Sequence, residues 1–290
     1  MKITKLLILT IVISLNTVFA QENIENASSF PHLEDSYLGQ KPPGSIPELF
    51  APGIVSTNDL EIEATFATNM KEFYFVRQRK DENPKSHVIQ YKNGEWHESV
   101  VERPSGGVFI STDGKTMHLG NKYREQAASG WSEEKSLGPL SEKFPVMRLT
   151  ASAAGTYVFD ERKEIGTIRY SRLIDGKREE PKAFSKEINT GQWTAHPFIA
   201  PDESYLIWDS EREGGYGETD LYISFRQEDG SWGPAINMGE DINTEREDAY
   251  GSVTPDGKYF FFNTIDLDEG EGIANIFWVD AKVIESLRHK

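Results

Sequence analysis

Along the chain, apolar residues come in short bursts, and each burst is entered through a polar turn. From about Leu49 onward this arrangement recurs as Ser111-Thr-Asp-Gly-Lys-Thr-Met-His-Leu119, Ser152-Ala-Ala-Gly-Thr-Tyr-Val-Phe159, Ala200-Pro-Asp-Glu-Ser-Tyr-Leu-Ile-Trp208 and Thr254-Pro-Asp-Gly-Lys-Tyr-Phe-Phe-Phe262. Ala67-Thr-Asn-Met-Lys-Glu-Phe-Tyr-Phe75 is a degenerate fifth copy. With Asn69, Asp113, Ala154, Asp202 and Asp256 taken as equivalent, successive spacings are 44, 41, 48 and 54 residues. Bursts this short, bounded by turn residues, are strands rather than helices.

A second signal runs in phase with the first. Asn93-Gly94-Glu95-Trp96, Ser129-Gly130-Trp131, Asp175-Gly176 and Asp229-Gly230-Ser231-Trp232-Gly233-Pro234 each precede the next polar turn. Asn-Gly and Asp-Gly suit tight hairpins because Gly accepts positive φ without steric cost. Alternating runs lie upstream, at His87 to Tyr91, Thr167 to Leu173 and Leu221 to Phe225. Two phased signals at a period of 41 to 54 residues predict an all-β fold. The period is that of a β-propeller with about five four-stranded blades, six being the less favoured count and a β-sandwich the alternative architecture. Pro47 to Thr57 stands where an outer strand belongs, with no inner strands of its own, while the last repeat ends in a helix-like tail, Asp280 to Leu287. Pairing the early strand with the last blade would close the ring and cover an edge.

A turn reading Pro-Asp-Gly-Lys ahead of an aromatic strand at Thr254 to Phe262, and Asp220-Leu-Tyr222 running on to Asp229-Gly-Ser-Trp-Gly-Pro234, resemble the WD-like β-propeller repeat of the TolB type. The resemblance spans about residues 48 to 280. It departs from the pattern at Ala154, where Asp is preferred, and in the third repeat, which lacks the Trp. It implies an exported propeller and leaves the activity open, because such scaffolds host many roles.

At the N-terminus, Lys2 and Lys5 precede an apolar run from Leu6 to Leu15, and Val18-Phe-Ala20 offers small residues at the cleavage positions. Residues 1–20 are therefore expected to be a secretory signal, residues 21–46 an extended Pro-rich lead-in, and residues 47–290 the propeller domain, with no transmembrane segment in the mature chain. The expected location is periplasmic or extracellular, as a monomer. Cleavage would remove two Lys and take the formal net charge from −16 to −18. Such a charge disfavours nucleic acid as a partner. The chain has no Cys, which excludes disulfides, thiolate metal sites and a cysteine nucleophile.

No Gly-rich phosphate loop, Gly-x-Ser-x-Gly or His-Glu-x-x-His occurs, and the six His stand singly. No catalytic residue, cofactor or metal is assigned. The acidic stretch Asp266 to Glu271 departs from the EF-hand pattern and is expected to be a solvated loop. Asp209, Arg212 and Asp220, with their intervening glycines, are expected to serve structure, as are the turn residues Asp113, Asp202, Asp256 and Gly257. Residues just ahead of the repeated turns should face the channel: Glu61, Glu63, Arg103, Arg148, Trp193, His196, Glu247, Asp248 and Tyr250. Arg suits a carboxylate and the aromatics suit a sugar or peptide face. Cross-blade structural pairing of the same groups is the competing expectation. The sequence thus points to a binding module for a peptide, glycan or envelope protein. A hydrolase using Glu63, Glu247 or Asp248 and a TolB-like assembly partner are the alternatives.

Overall fold

A computed structural model describes residues 36–102, 106–128, 130–163, 166–266 and 272–288. The predicted signal, residues 1–20, lies outside the described residues, as do the first part of the lead-in, Arg103 and most of the acidic loop. Among the described residues the regular secondary structure is nearly all strand, and the strands group into antiparallel sets that follow the repeats.

The first set is Leu60–Phe66, Glu72–Gln78, Lys85–Lys92 and Glu95–Glu102. The second is Val108–Ile110, Thr116–Leu119, Lys122–Ala127 and Lys135–Ser136, and the third Val146–Ala151, Tyr157–Glu161, Ile168–Ser171 and Lys182–Ala183. The fourth is Trp193–Ile199, Tyr205–Glu211, Asp220–Phe225 and Ile236–Asn237. The fifth runs Glu247–Val253, Tyr259–Asp266 and Ile273–Asp280, and its outer strand is Glu48–Leu49 from the other end of the chain. A single parallel pairing, Leu60 with Ala274, joins the fifth set to the first.

The first strand of each set is tied to the neighbouring set around a ring, which makes the fold a β-propeller. Thr65 Oγ1 donates to the Val108 carbonyl, Gly107 N to Met147 O, Thr150 Oγ1 to Pro197 O, Tyr250 N to Asp209 Oδ1, and Ser252 Oγ to Ala64 O. Thr65, Thr150 and Ser252 hold one position of the repeat, and Val108, Pro197 and Ala64 another, so one hydroxyl-to-carbonyl bond recurs between neighbours. Each strand pair buries its apolar side chains against the next, as in the cluster of Val158, Ile168, Ile199, Leu206 and Trp208 between the third and fourth sets.

The polar turns share one geometry. A side-chain oxygen of Asn69, Asp113, Asp202 and Asp256 accepts the backbone N–H two residues on. The residue that follows has positive φ in all five turns: Met70, Gly114, Gly155, Glu203 and Gly257. The Asn93-Gly94 and Asp175-Gly176 hairpins have positive φ at both residues, as a two-residue turn matched to strand twist requires. In the third set that hairpin closes an added ribbon, Leu173–Ile174 with Lys177–Arg178, before the outer strand.

The early strand closes the last set by pairing Glu48 with Trp278 and Leu49 with Phe277. Phe50 follows it into a fully buried nest of Phe66, Phe73, Phe261 and Trp278. The final stretch of the lead-in also packs: Tyr37 lies against Phe66, Tyr259 and Trp278, and its hydroxyl donates to Asp256. The tail forms the helix Lys282–Leu287, which buries Ile284 and Leu287.

Candidate functional site at the channel

Four of the ring-lining strands carry a register irregularity, after Ile62, Val146, Ala195 and Ala249. An extra residue in a strand bends it and re-aims a side chain. Glu63, His196 and Tyr250 sit at these points with φ of 67, 47 and 58°. Arg148 holds the matching position of the third repeat and Gly107 that of the second. The bulges thus bring Glu63, Arg148, His196 and Tyr250 to one level of the ring. Gly107 contributes no side chain there. A Cβ at Gly107 would lie 3.5 Å from Arg148 Cγ and 3.6 Å from Glu63 Oε2, so these two side chains meet across the glycine.

Behind this level stands a second, hidden ring. Asp160, Asp209 and Asn263 occupy one register of the second strands and are fully buried. Each accepts the backbone N–H of the next set's bulge residue: His196 N to Asp160 Oδ2 at 2.8 Å, Tyr250 N to Asp209 Oδ1 at 3.2 Å, and Glu63 N to Asn263 Oδ1 at 3.3 Å. These bonds satisfy donors that the bulges free from the ladder. Asp160 also accepts Arg148 N at 2.7 Å, and Asp209 holds His196 Nδ1 at 2.9 Å.

The charges here are coupled. Burial works against protonation of His196, but the carboxylates of Asp209 and Asp160 outweigh it and raise its pKa. Burial raises Asp160 and lowers Arg148, the latter opposed by Glu63, Asp209 and Asp160. The Tyr250 ring stacks on His196 at 3.8 Å between centroids.

Trp193 and Glu247 begin their strands, so they stand at the mouth in front of this centre. Trp193 is half-buried, 6.4 Å from the His196 ring. Both residues line an open groove of about 770 Å³ with Gln192, Glu211, Glu218 and Thr219. Among the described residues the Glu247 carboxylate makes no hydrogen bond or ion pair, and burial, then Asp209 and the nearby Glu218 and Asp248, raise its pKa.

Asp248 points away from the groove. Its Oδ2 accepts Thr244 N and Oγ1, its Oδ1 accepts Thr264 Oγ1, and burial pushes its pKa up to about 6. Glu61 is its counterpart in the first set, taking Thr57 N and Oγ1 and Arg77 Nε. Arg77 and Arg212 both donate to paired carbonyls, Ile54 and Val55 in one case, Glu187 and Ile188 in the other. Asp220 instead accepts Tyr216 N, Gly217 N and Asn237 Nδ2, so Arg212 and Asp220 serve the fold without bonding each other.

Of the residues proposed from sequence, Glu63, Arg148, His196 and Tyr250 therefore share the channel level and Trp193 and Glu247 share its mouth. Asp248 and Glu61 belong to strand-end locks instead, and Arg103 lies outside the described residues. Asp160 and Asn263 were not anticipated. Their signal was present as a polar residue closing the apolar burst in Tyr157-Val-Phe-Asp160, Leu206-Ile-Trp-Asp209 and Phe260-Phe-Phe-Asn263. No metal-competent group of three or more His, Asp and Glu occurs among the described residues, and no helix there is long and apolar enough to cross a membrane.

No family model and no curated protein matches the chain. Solved structures similar to it include TolB from Acinetobacter baumannii, at 12% identity and a TM-score of 0.46, over 77% of this chain and 57% of that one. A periplasmic gluconolactonase from Pseudomonas aeruginosa is similar at 12% identity and a TM-score of 0.40, over 75% of this chain and 69% of that one. An α-L-arabinofuranosidase from Lactobacillus brevis is similar at 10% identity and a TM-score of 0.43, over 76% and 89%. The chain spans little more than half of that TolB, and proteins of such different activity at this similarity assign no function.

Proposed function

We propose that the chain is an exported five-bladed propeller that works as a binding module, with its ligand seated on Trp193 and Glu247 at the mouth where the inner strands begin. The observation that carries this is Glu247, a half-buried carboxylate without a hydrogen-bond partner among the described residues, set beside an aromatic face in an open groove. A ligand that donates hydrogen bonds to Glu247 offsets its desolvation. The indole face receives a sugar ring or an amine-bearing side chain. A glycan or a peptide from the envelope offers both.

The state of the other two carboxylates proposed from sequence, Asp248 and Glu63, supports binding over a hydrolysis that pairs either of them with Glu247. Glycoside chemistry uses two carboxyl groups roughly 5–9 Å apart. Asp248 is held by Thr244 and Thr264, and Glu63 faces Arg148 across Gly107. A TolB-like assembly role would use an apolar surface; the exposed pairs Val100–Val101 and Leu173–Ile174 lie on different sheets. Glycan and peptide arrays probed with the wild type, Trp193→Ala and Glu247→Gln test the proposal. Hits that both substitutions weaken support it, and hits that neither affects contradict it.

A further inference from the structure

The opposite end of the channel has different chemistry. Where the inner strands run out, Phe66, Phe109, Ile110, Phe198, Ile199 and Val253 line a cavity of about 190 Å³, and Arg148 lies at its inner end. We propose that this cavity is a second site, which takes a small carboxylic acid with an apolar body, its carboxylate on Arg148. It lies away from Trp193 and Glu247 and does not rest on the function proposed for them.

Size limits the occupant to about one ring or a short branched chain. A cavity of ~150 Å³ lined by Leu, Ile and Phe accepts benzene, whereas drug-sized ligands need about 300 Å³ or more. The head group follows from Arg148. It is 4% exposed, and among the described residues its guanidinium makes one hydrogen bond, a long one from Nη1 to the His196 carbonyl at 3.4 Å. A guanidinium has five donors, so most remain for a ligand. The neighbouring carboxylates do not take them. Asp160 is occupied by the Arg148 and His196 backbone N–H groups, and Asp209 by His196 Nδ1 and Tyr250 N. Glu63 balances the charge of Arg148 from across Gly107. A carboxylate at the inner end would gain charge-assisted bonds, while its body displaces water from the phenyl faces.

Benzoate, benzyl alcohol and benzylamine share one apolar body and differ in head group, and their binding to the wild-type protein can be compared by saturation-transfer NMR and titration calorimetry. The expected result is benzoate binding at least ten-fold tighter than benzylamine, with benzyl alcohol between them. Val253→Phe, which narrows the cavity without touching Arg148, should abolish benzoate binding and leave any ligand of the Trp193 mouth bound. Absence of benzoate binding, equal binding of benzylamine, or benzoate binding unchanged in Val253→Phe would each overturn the proposal. The wild-type comparison decides by itself should the variant fail to fold.

Discussion

Replacing Phe50 with Ala strikes the point where the start of the chain is locked into the last sheet. Phe50 is fully buried, with ring centroids at 4.9 Å from Phe261, 5.0 Å from Phe73, 5.1 Å from Trp278 and 6.0 Å from Phe66. Its amide donates to Ile276 O, so the backbone holds the site open when the ring is removed, and the surrounding rings cannot collapse fully into the space. Loss of a buried phenyl with partial relaxation costs about 3–5 kcal/mol. That is a large share of the roughly 5–15 kcal/mol that keeps a protein folded. Urea unfolding followed by tryptophan emission reads the loss, since Trp278 borders the cavity. The midpoint should fall with an unchanged slope, because the same surface is exposed on unfolding. Ile46→Ala, at a side chain 75% exposed, is the control and should stay within about 0.5 kcal/mol of wild type. A Phe50→Ala loss below about 1 kcal/mol would refute the claim that the early strand is an integral part of the last sheet.

Thr150→Val removes a hydroxyl that donates to Pro197 O and accepts Ile199 N, both at 3.2 Å, and should cost about 1–3 kcal/mol in the same unfolding assay. His196 has a raised pKa in the folded protein, so the stability it contributes is complete below about pH 6.5 and declines as pH rises through the folded value. Asp209→Asn should flatten that decline and lower the ring's titration midpoint by NMR; an unchanged midpoint would contradict the coupling. Asp248, pushed up to about 6, stabilises the fold below about pH 4 and loses that contribution as pH rises to about 6, a change on the order of 3 kcal/mol. Asp248→Asn should remove this slope from the stability profile between those values.

The ring was legible because its signals are local. A turn that needs an Asx side chain and then a positive-φ residue leaves a spaced mark, visible at Asp113-Gly114 and Asp256-Gly257 even where Glu203 replaces the Gly. The departure at Ala154 was absorbed as simply: Gly155 still supplies the positive φ, and Ser152 Oγ accepts Thr156 N. Closure by Glu48–Leu49 was legible through phase, because a repeat missing at one end was present at the other. The site was harder to see. Which residues face the channel depends on bulges that shift the register by one residue, and no local residue preference announced positive φ at Glu63, His196 or Tyr250. Asp248 lies ahead of its strand's bulge, and simple strand alternation turns it away from Glu247 toward Thr244 and Thr264. Asp160 and Asn263 act across repeats on backbone groups some 36 and 200 residues away, a distance that local patterns do not span.

The most direct test of the binding role is the structure of the complex with the strongest array ligand. A hydrogen-bond donor of that ligand should lie within reach of the Glu247 carboxylate, with a ring or amine against the Trp193 face. A ligand seated on another surface, with the Trp193–Glu247 groove left to solvent, would contradict it.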